Sequence, residues 1–327
     1  MTSSAIDPDF FHVHPDVQEA IDSGKAVVAL ESTIISHGLP RPENIRVANE
    51  VEDIVRSRGA IPATIAVLNG VAHIGLTSDQ ITEIATRDDV SKASIRDLGI
   101  VSARRGYAAT TVAATSHLAH LAGIEVFATG GLGGVHRQAR DSWDESADLT
   151  ALGSIPMTVV CSGVKSILDV GATLERLETL SIGVVGYGSE QFPGFYLTDS
   201  GFTLDWYLSD PSDIAAVMNA RRKLNVSTGL IVANPLPNDQ QLDPDLHDRV
   251  LTEGLALAQS RNITGKAVTP FLLDFFHRTT HGQSLVVNAN IIVRNAELAS
   301  RIAVATKTSP ESDPESDPES DPESDPA

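Results

Sequence analysis

The sequence predicts an α/β protein, because short apolar segments alternate along the chain with longer segments that carry apolar residues at helical spacing. The clearest example is Thr110–Arg137, in which a helix, a buried strand and a glycine-rich turn follow one another without a break. At 327 residues, 42% of them hydrophobic and 20% charged, the chain is long enough for one large α/β domain or two small ones.

Each predicted element has a local reason. Strands are predicted where four to six mostly apolar residues stand together, as in VVAL, ATIAVL, IEVFA and MTVVCS. Helices are predicted where apolar residues recur every three or four positions between a polar cap and a glycine, and Thr77 with Gln80 forms a capping box for one of them. The predicted strands are 26–30, 63–68, 124–128, 157–162, 181–186 and 229–233. Besides that capped helix, which carries Ile81 and Ile84, the predicted helices are 15–23, 42–58, 113–121, 210–224, 243–260, 270–278 and 284–305. The secondary structure of 90–98 stays undecided.

The charge of the chain is unevenly placed. The net charge is −19, and eight of the negative charges fall in the repeated ESDP segment after Pro310, which leaves about −11 on the body. An acidic body argues against a nucleic-acid-binding surface. The repeat has no apolar residue to bury, so residues 308–327 are predicted to form a disordered tail and residues 1–307 a single domain.

Cellular location is predicted from what the sequence lacks. No apolar run approaches the length of a membrane span, and the N-terminus has no basic-then-apolar signal pattern. The single cysteine, Cys161, cannot form an intramolecular disulfide and fits a reducing compartment. We therefore expect a cytoplasmic protein that contacts neither membrane nor nucleic acid.

The glycine-rich turn after the central strand is a candidate anion site. Four of the five residues 130–134 are glycine, so the backbone can approach a ligand and direct N–H groups, Gly130 and Gly131 among them, at one oxyanion. The third glycine of a dinucleotide fingerprint is replaced by His136, and a P-loop lysine is absent. His136 and Arg137 follow the turn and could contact a phosphate. A tight turn without any ligand is the alternative.

Two ionisable residues stand at predicted strand ends. Glu31 follows the first buried strand, where a carboxylate is costly to bury unless it is hydrogen-bonded or catalytic. Lys165 lies just beyond the strand MTVVCS, at the edge where open α/β sheets bind ligands. An amine in a dry site gives up its proton more easily and becomes a nucleophile. The alternatives are a partly solvated carboxylate and a lysine that extends to solvent.

The sequence contains two clusters of like charge, and it does not decide the function of either. Lys92 and Arg96 are four residues apart and could bind an anion, or could belong to an exposed basic face. The segment DSWDESADL brings Asp144 close in sequence to three other carboxylates. Such a group suits a hard cation bound by few carboxylates and several waters, although acidic surface loops look the same.

Taken in series, the motifs of the chain resemble the pseudouridine-5′-phosphate glycosidase family, also called the indigoidine synthase A-like family. The resemblance runs from about Ala26 to Ala305. No single motif decides it, but their order and spacing make a specific match. The motifs are VVALESTIISHGLPRPEN, PATIAVLNGVAHIGL, KASIRDL, ATTVAAT, VFATGGLGGVHR, SADL, VVCSGVKSILD, VANPLP, GKAVTPFLL and NANIIVRNA.

The resemblance implies a homotrimeric enzyme with a three-layer α/β/α domain around a mixed, largely parallel β-sheet. Members reversibly join or split uracil and ribose 5-phosphate through the carbon–carbon bond of pseudouridine 5′-phosphate, assisted by a divalent cation, commonly Mn²⁺. On this chain Glu31 resembles the proton donor, Lys165 the nucleophile and Asp144 the metal-bound carboxylate. The implied substrate contacts are Lys92, Val112, Ser146, Ala147, Asp148 and Asn288.

Two other functions would use the same residues differently. A sugar-phosphate aldolase or lyase that works through a Schiff base would share the lysine and the phosphate loop, but would not consume uracil. A non-catalytic phosphometabolite-binding protein would hold Glu31 and Lys165 as a structural ion pair. Turnover of uracil with ribose 5-phosphate separates the glycosidase from both.

Overall fold

The computed structural model describes residues 7–264 and 267–308, and the predicted disordered ESDP tail lies beyond them, apart from Thr308. Its eleven strands form one sheet in the order β1-β4-β3-β2-β7-β8-β11-β9-β10, with β6 also paired to β3 and β5 to β6. The strands are β1 Phe11–Val13, β2 Val27–Leu30, β3 Ile61–Leu68, β4 Val71–Ile74, β5 Val90–Ala93, β6 Tyr107–Thr110, β7 Val126–Ala128, β8 Thr158–Cys161, β9 Gly183–Tyr187, β10 Tyr207–Leu208 and β11 Leu230–Ala233.

The helices alternate with the strands as predicted, and several of them begin at side-chain caps. The capping box of Thr77 and Gln80 is confirmed, and the Thr111, Asp169 and Asp243 side chains each accept a hydrogen bond from the first turn of a helix. The helices are α1 Pro15–Asp22, α2 Glu43–Ser57, α3 Ser78–Thr86, α4 Ile95–Ala103, α5 Val112–Leu121, α6 Ala139–Ser142, α7 Ala147–Leu152, α8 Val170–Thr179, α9 Pro211–Lys223, α10 Pro244–Ser260, α11 Val268–Thr279 and α12 Gln283–Thr308, with one π-helical turn at Ile34–Gly38.

Two hydrophobic layers confirm the predicted three-layer α/β/α fold. Alternate residues of β2 face opposite ways, so Val27 and Ala29 pack with α1, α5, α7 and α8, whereas Val28 and Leu30 pack with α2, α9 and α12. The strands from β3 to β10 through β2, β7, β8, β11 and β9 are parallel, and β4 and β6 run antiparallel to β3. The sheet is therefore mixed and largely parallel, as predicted.

The sheet forks along one edge of β3. Residues 61–64 of β3 pair with the parallel strand β2, and residues 66 and 67 pair with the antiparallel strand β6. The carboxyl ends of β2 and β6 therefore point at each other. Ser32 and Thr110 close the gap, because both hydroxyls donate to the Ile65 carbonyl, at 2.6 and 2.7 Å, and the Thr110 N–H donates to Ser32 Oγ at 2.9 Å.

The strands that the sequence missed are short or end at the fork, and the ten-residue helix α8 was also missed. The strands β1, β4, β6 and β10 have two to four residues each. The undecided segment 90–98 divides into β5 and the start of α4, which brings Lys92 onto a strand beside β6. None of the described helices is both long and apolar enough to cross a membrane.

Candidate active site

The fork opens into a cleft at the carboxyl ends of β2, β5, β7 and β8. Two adjoining cavities of about 160 and 310 Å³ form it. Both are lined by Glu31, Lys92 and Lys165, together with Thr33 and Thr269. The cleft therefore has two lobes that meet at a carboxyl group and two amines, and strand topology brings these groups together from three distant parts of the sequence.

The smaller cavity, called here the apolar lobe, is walled mainly by hydrocarbon. Ile34, Phe195 and Ile292 line it, and Asn288 contributes an amide from α12. Gly130 and Gly131 form part of the wall, and a Cβ at Gly131 would lie 2.6 Å from the Phe195 ring. Glycine is thus required there by packing. An apolar slot with one amide suits a flat heterocycle with hydrogen-bonding edges.

The larger cavity, called here the polar lobe, is walled by the first residues of helices. Thr111 and Val112 begin α5, Ser146 and Ala147 begin α7, and Ser94 precedes α4. Helix N-termini attract anions because their first N–H groups have no partner within the helix. Two cations, Lys92 and Arg96, line the same cavity, so the polar lobe suits a phosphate group.

Glu31 is buried directly after β2. It is only 8% exposed, and Thr129 Oγ1 donates a short hydrogen bond to its Oε1. Burial raises the pKa of Glu31, and the negative charge of Asp148 adds to the rise, whereas Lys165, the Thr129 hydrogen bond and Lys92 oppose it. A carboxyl group with a raised pKa holds its proton longer and can act as a general acid.

Lys165 is half-buried on the turn that follows β8. The backbone N–H of Lys165 donates to the Leu132 carbonyl at 3.1 Å, which connects this turn to the glycine-rich turn after β7. Gly163 makes the turn possible, because its φ is +76° and a Cβ there would collide with the Pro193 carbonyl. The lysine is therefore held on a rigid backbone where the two lobes join.

Asp148 is bonded to the backbone at the base of the polar lobe. Its Oδ1 accepts from the Ala113 N–H and its Oδ2 from the Gly133 N–H, both at 2.9 Å. The N–H groups of Leu132 and Val135 also donate to protein acceptors. Protein oxygens therefore already occupy the N–H groups of Leu132 and Gly133 within the turn, and a phosphate contact by the N–H groups of Gly130 and Gly131 stays a prediction.

His136 and Arg137 have different positions although they are adjacent in sequence. His136 lines the polar lobe, with its Nδ1 3.7 Å from Asp144 Oδ2, and burial lowers the pKa of this imidazole against the opposing effect of Asp144. Arg137 is exposed, donates to the Ser166 carbonyl at 3.2 Å and lines neither lobe. Arg137 is thus not among the residues that wall the cleft, and a phosphate contact by its side chain stays a prediction.

The acidic segment around Asp144 does not converge on one point. Asp144 lines the polar lobe, Glu145 is paired with Arg176 at 3.0 Å, Asp141 is exposed and Asp148 binds the backbone. In residues 7–264 and 267–308 no group of three or more His, Cys, Asp or Glu side chains could hold a metal ion. A single carboxylate fits a Mn²⁺ or Mg²⁺ ion that takes its other ligands from water and substrate.

Some residues of the cleft were missed by the sequence. Thr129 and Phe195 were not among the predicted site residues, yet Thr129 bonds Glu31 and Phe195 walls the apolar lobe. The last helix carries asparagines at 288, 290 and 295. Asn288 is 6% exposed and lines the cleft, whereas the second fully buried amide is Asn295. An asparagine seven residues after Asn288, on the same helix face, was the available signal.

A parallel sheet with a buried carboxylic acid and a lysine in one cleft at its carboxyl edge defines an α/β enzyme whose active site binds small molecules. The chain belongs to the indigoidine synthase A-like family, whose sequence profile matches residues 16–305. A relative from Salinispora tropica, named pseudouridine-5′-phosphate glycosidase, is 60% identical over 90% of this chain and 92% of its own. A protein of the same name from Symbiobacterium thermophilum is 50% identical over 90% and 96%.

Solved structures show the same fold. The indigoidine synthase A-like protein of Thermotoga maritima is 34% identical, with a TM-score of 0.85 over 94% of this chain and all of its own. The prealnumycin C-glycosynthase AlnA, solved in complex with ribulose 5-phosphate, is 32% identical, with a TM-score of 0.84 over 91% of this chain and 97% of its own.

Proposed function

We propose that this protein is a pseudouridine-5′-phosphate glycosidase, which reversibly cleaves the carbon–carbon bond between uracil and ribose 5-phosphate. The observation that carries the proposal is that Glu31 and Lys165 both line each of the two lobes. A bond between a base in one lobe and a sugar phosphate in the other would lie beside both groups. The names of the relatives from Salinispora tropica and Symbiobacterium thermophilum support this activity.

The two lobes divide the substrate by polarity. Uracil fits the apolar lobe, where Asn288 can pair with its edge and Phe195 with its face. The phosphate fits the polar lobe, with Lys92, the start of α5 at Val112 and the start of α7 at Ser146 and Ala147 as its contacts. Binding energy from the phosphate aligns the reacting carbon, which would favour the nucleotide over the free nucleoside.

The chemistry needs an acid and a nucleophile because uracil is bonded through carbon. The neutral Lys165 amine forms a bond to C1′ as the C1′–O4′ bond of the ribose breaks, and O4′ takes up the proton that the amine loses. The proton of Glu31 then passes to C5 of uracil, which takes the electrons of the C1′–C5 bond as that bond breaks. C1′ remains joined to Lys165 as an imine, and water releases ribose 5-phosphate and restores the amine. An ordinary glycosidase with two flanking carboxylates lacks this route.

The metal, the assembly and the compartment are further parts of the proposal. Asp144, with His136 beside it, would hold Mn²⁺ or another divalent cation, which would supply positive charge next to the substrate oxygens. The resemblance to the family supports a homotrimer. The free thiol of Cys161, buried in β8, is compatible with the reducing cytoplasm.

The proposal is tested by following uracil release from pseudouridine 5′-phosphate in the presence of Mn²⁺. The wild-type enzyme should release uracil and ribose 5-phosphate together, and Lys165→Ala should not. Lys223→Ala, which removes an exposed lysine at the end of α9, is the matched control and should remain active. Cleavage of other sugar phosphates without uracil dependence would instead indicate an aldolase or lyase. Ribose 5-phosphate binding without turnover would indicate a binding protein.

A further inference from the structure

A buried amide beneath the cleft joins three neighbouring strands. Asn295, on α12, is fully buried. Its Nδ2 donates to the Thr129 carbonyl at 2.8 Å and to Ser162 Oγ at 3.3 Å, and its Oδ1 accepts from Asn234 Nδ2 at 2.9 Å. Since Thr129, Ser162 and Asn234 directly follow β7, β8 and β11, one side chain connects the carboxyl ends of all three strands.

Each of these connections leads to a group in the cleft. Thr129 bonds Glu31 through its hydroxyl, while Asn295 holds its carbonyl. Ser162 begins the short turn that carries Lys165. Asn288 lies two helical turns before Asn295 on α12, and both are buried. The position of α12 on the strand ends thus determines how far Asn288 reaches into the apolar lobe.

We propose that Asn295 is a positioning residue, which fixes Glu31, Lys165 and Asn288 relative to one another through hydrogen bonds to the ends of β7, β8 and β11. The inference rests on the proposed function, because it needs those three groups to act together. The starts of α4, α5 and α7, which wall the phosphate side of the polar lobe, lie outside this set of hydrogen bonds. Loss of the connection should therefore harm the base side and the chemistry, but not phosphate binding.

Asn295→Asp tests this with little change of shape. It replaces the NH₂ group that donates to the Thr129 carbonyl by an oxygen that cannot donate when ionised. Misplacement of a reacting group by about 1 Å can cost about 100-fold in rate. We expect kcat to fall by about 10- to 100-fold and KM for uracil to rise in the synthesis direction, with KM for ribose 5-phosphate unchanged. Asn290→Asp, on the same helix but outside both lobes, is the matched control and should behave as wild type.

A milder variant covers the case in which Asn295→Asp does not fold, and a double-mutant cycle tests the link to Glu31 when it does. Ser162→Ala removes one bond to Asn295 and should produce the same pattern at smaller size. Thr129→Val and Asn295→Asp should be less than additive in kcat, because both loosen the same link to Glu31. Full additivity, or equal changes in both KM values, would overturn the proposal. Absence of turnover in the wild type would instead refute the proposed function.

A second inference comes from a third cavity of about 180 Å³ beyond the apolar lobe. The two share His37, Gly38, Pro270, Leu273 and Asn288 as lining residues. The third cavity is not lined by Glu31 or Lys165, and it reaches the exposed residues Pro40 and Asp274. A passage between the π-helical turn and α11 therefore leads from the apolar lobe to the surface without crossing the polar lobe.

The geometry points to this third cavity as the route by which the base leaves and enters. The proposed chemistry requires uracil to depart while the sugar is still bonded to Lys165, so the sugar phosphate occupies the polar lobe at that moment. A separate passage lets uracil leave first. This inference also rests on the proposed function, but it does not depend on Asn295.

Asp274→Trp tests the route, because it places a large ring at an exposed helix position that lines the passage. Asp274→Ala removes the same surface ion pair with Arg278 without narrowing the passage and is the matched control. We expect Asp274→Trp to slow steady-state uracil release, because product release can limit turnover, and to raise KM for uracil, with KM for ribose 5-phosphate unchanged. Identical kinetics in the two variants would overturn the route, whereas an inactive wild type would refute the proposed function itself.

Discussion

Asp148→Asn separates the contacts of Asp148 within the protein from any contact with substrate. The carboxylate bonds the Ala113 and Gly133 N–H groups at 2.9 Å each, and so joins the start of α5 to the glycine-rich turn. Asparagine has nearly the same shape, but one of its two terminal atoms is an NH₂ group. At least one of the two buried N–H groups must then lose its acceptor.

The expected loss of stability follows from the number of bonds. A hydrogen bond to a charged group contributes about 1.5–3 kcal/mol, and Asp148 is only 5% exposed, so solvent cannot replace the lost acceptor. We expect the free energy of unfolding to fall by about 1.5–3 kcal/mol. Both N–H groups lie beside the polar lobe, so the lost bond should shift the start of α5 or the glycine-rich turn. This shift should raise KM for ribose 5-phosphate by about tenfold, which corresponds to about 1.4 kcal/mol.

Urea unfolding, steady-state kinetics and a pH profile measure these effects. Asp141→Asn is the matched control, because this exposed carboxylate of the same acidic segment should change stability by less than about 0.5 kcal/mol. Burial is the main cause that raises the pKa of Glu31, and the Asp148 charge adds to it. Asp148→Asn should therefore also move the alkaline limb of kcat to lower pH. An unchanged unfolding energy with a raised KM would refute the backbone role and leave substrate contact alone.

Four further outcomes are expected. Lys165→Arg should be as inactive as Lys165→Ala in the uracil-release assay, since a guanidinium keeps its charge and cannot form an imine; retained activity would exclude the covalent route. Glu31→Gln should fold but lose nearly all turnover. Because burial raises the pKa of Glu31, the stability associated with its proton is lost as pH rises through that pKa, so Glu31→Gln should gain stability relative to wild type with rising pH in urea unfolding. Thr129→Val removes a bond that lowers the pKa of Glu31, so the alkaline limb of kcat should move to higher pH, with Thr129→Ser as the conservative control. Chelator treatment should abolish activity and Mn²⁺ should restore it; full activity after treatment would refute the role of Asp144.

The fold could be predicted where local pattern and tertiary packing agree. The strands β2, β7 and β8 are apolar because helices cover both faces of the sheet, and their sequences show it. The strand β6 could not be found, because its four residues gain their structure from pairing with β3 and β5 rather than from composition. The fork that aligns Lys92 with Glu31 depends on that pairing.

The site could be predicted where a residue stands at a strand end, and less well inside turns. Glu31 and Lys165 meet because parallel strands end at one edge. The use of the Gly133 N–H could not be predicted, since no local pattern shows that Asp148, fifteen residues later, accepts a hydrogen bond from it. Nor could the sequence show that His136 lines the polar lobe while Arg137, the next residue, is exposed and bonds the Ser166 carbonyl. The role of Asn295 could not be predicted, because its partners follow three strands that are far from it in sequence.

The most direct test of the account is chemical trapping on the enzyme during turnover. Wild-type protein is incubated with pseudouridine 5′-phosphate and borohydride, then digested and analysed by mass spectrometry. The account predicts a reduced ribose 5-phosphate adduct on the peptide that contains Lys165, loss of activity in proportion to labelling, and no adduct in Lys165→Ala. Continued uracil release with Lys165 unlabelled, or labelling at another lysine, would contradict it.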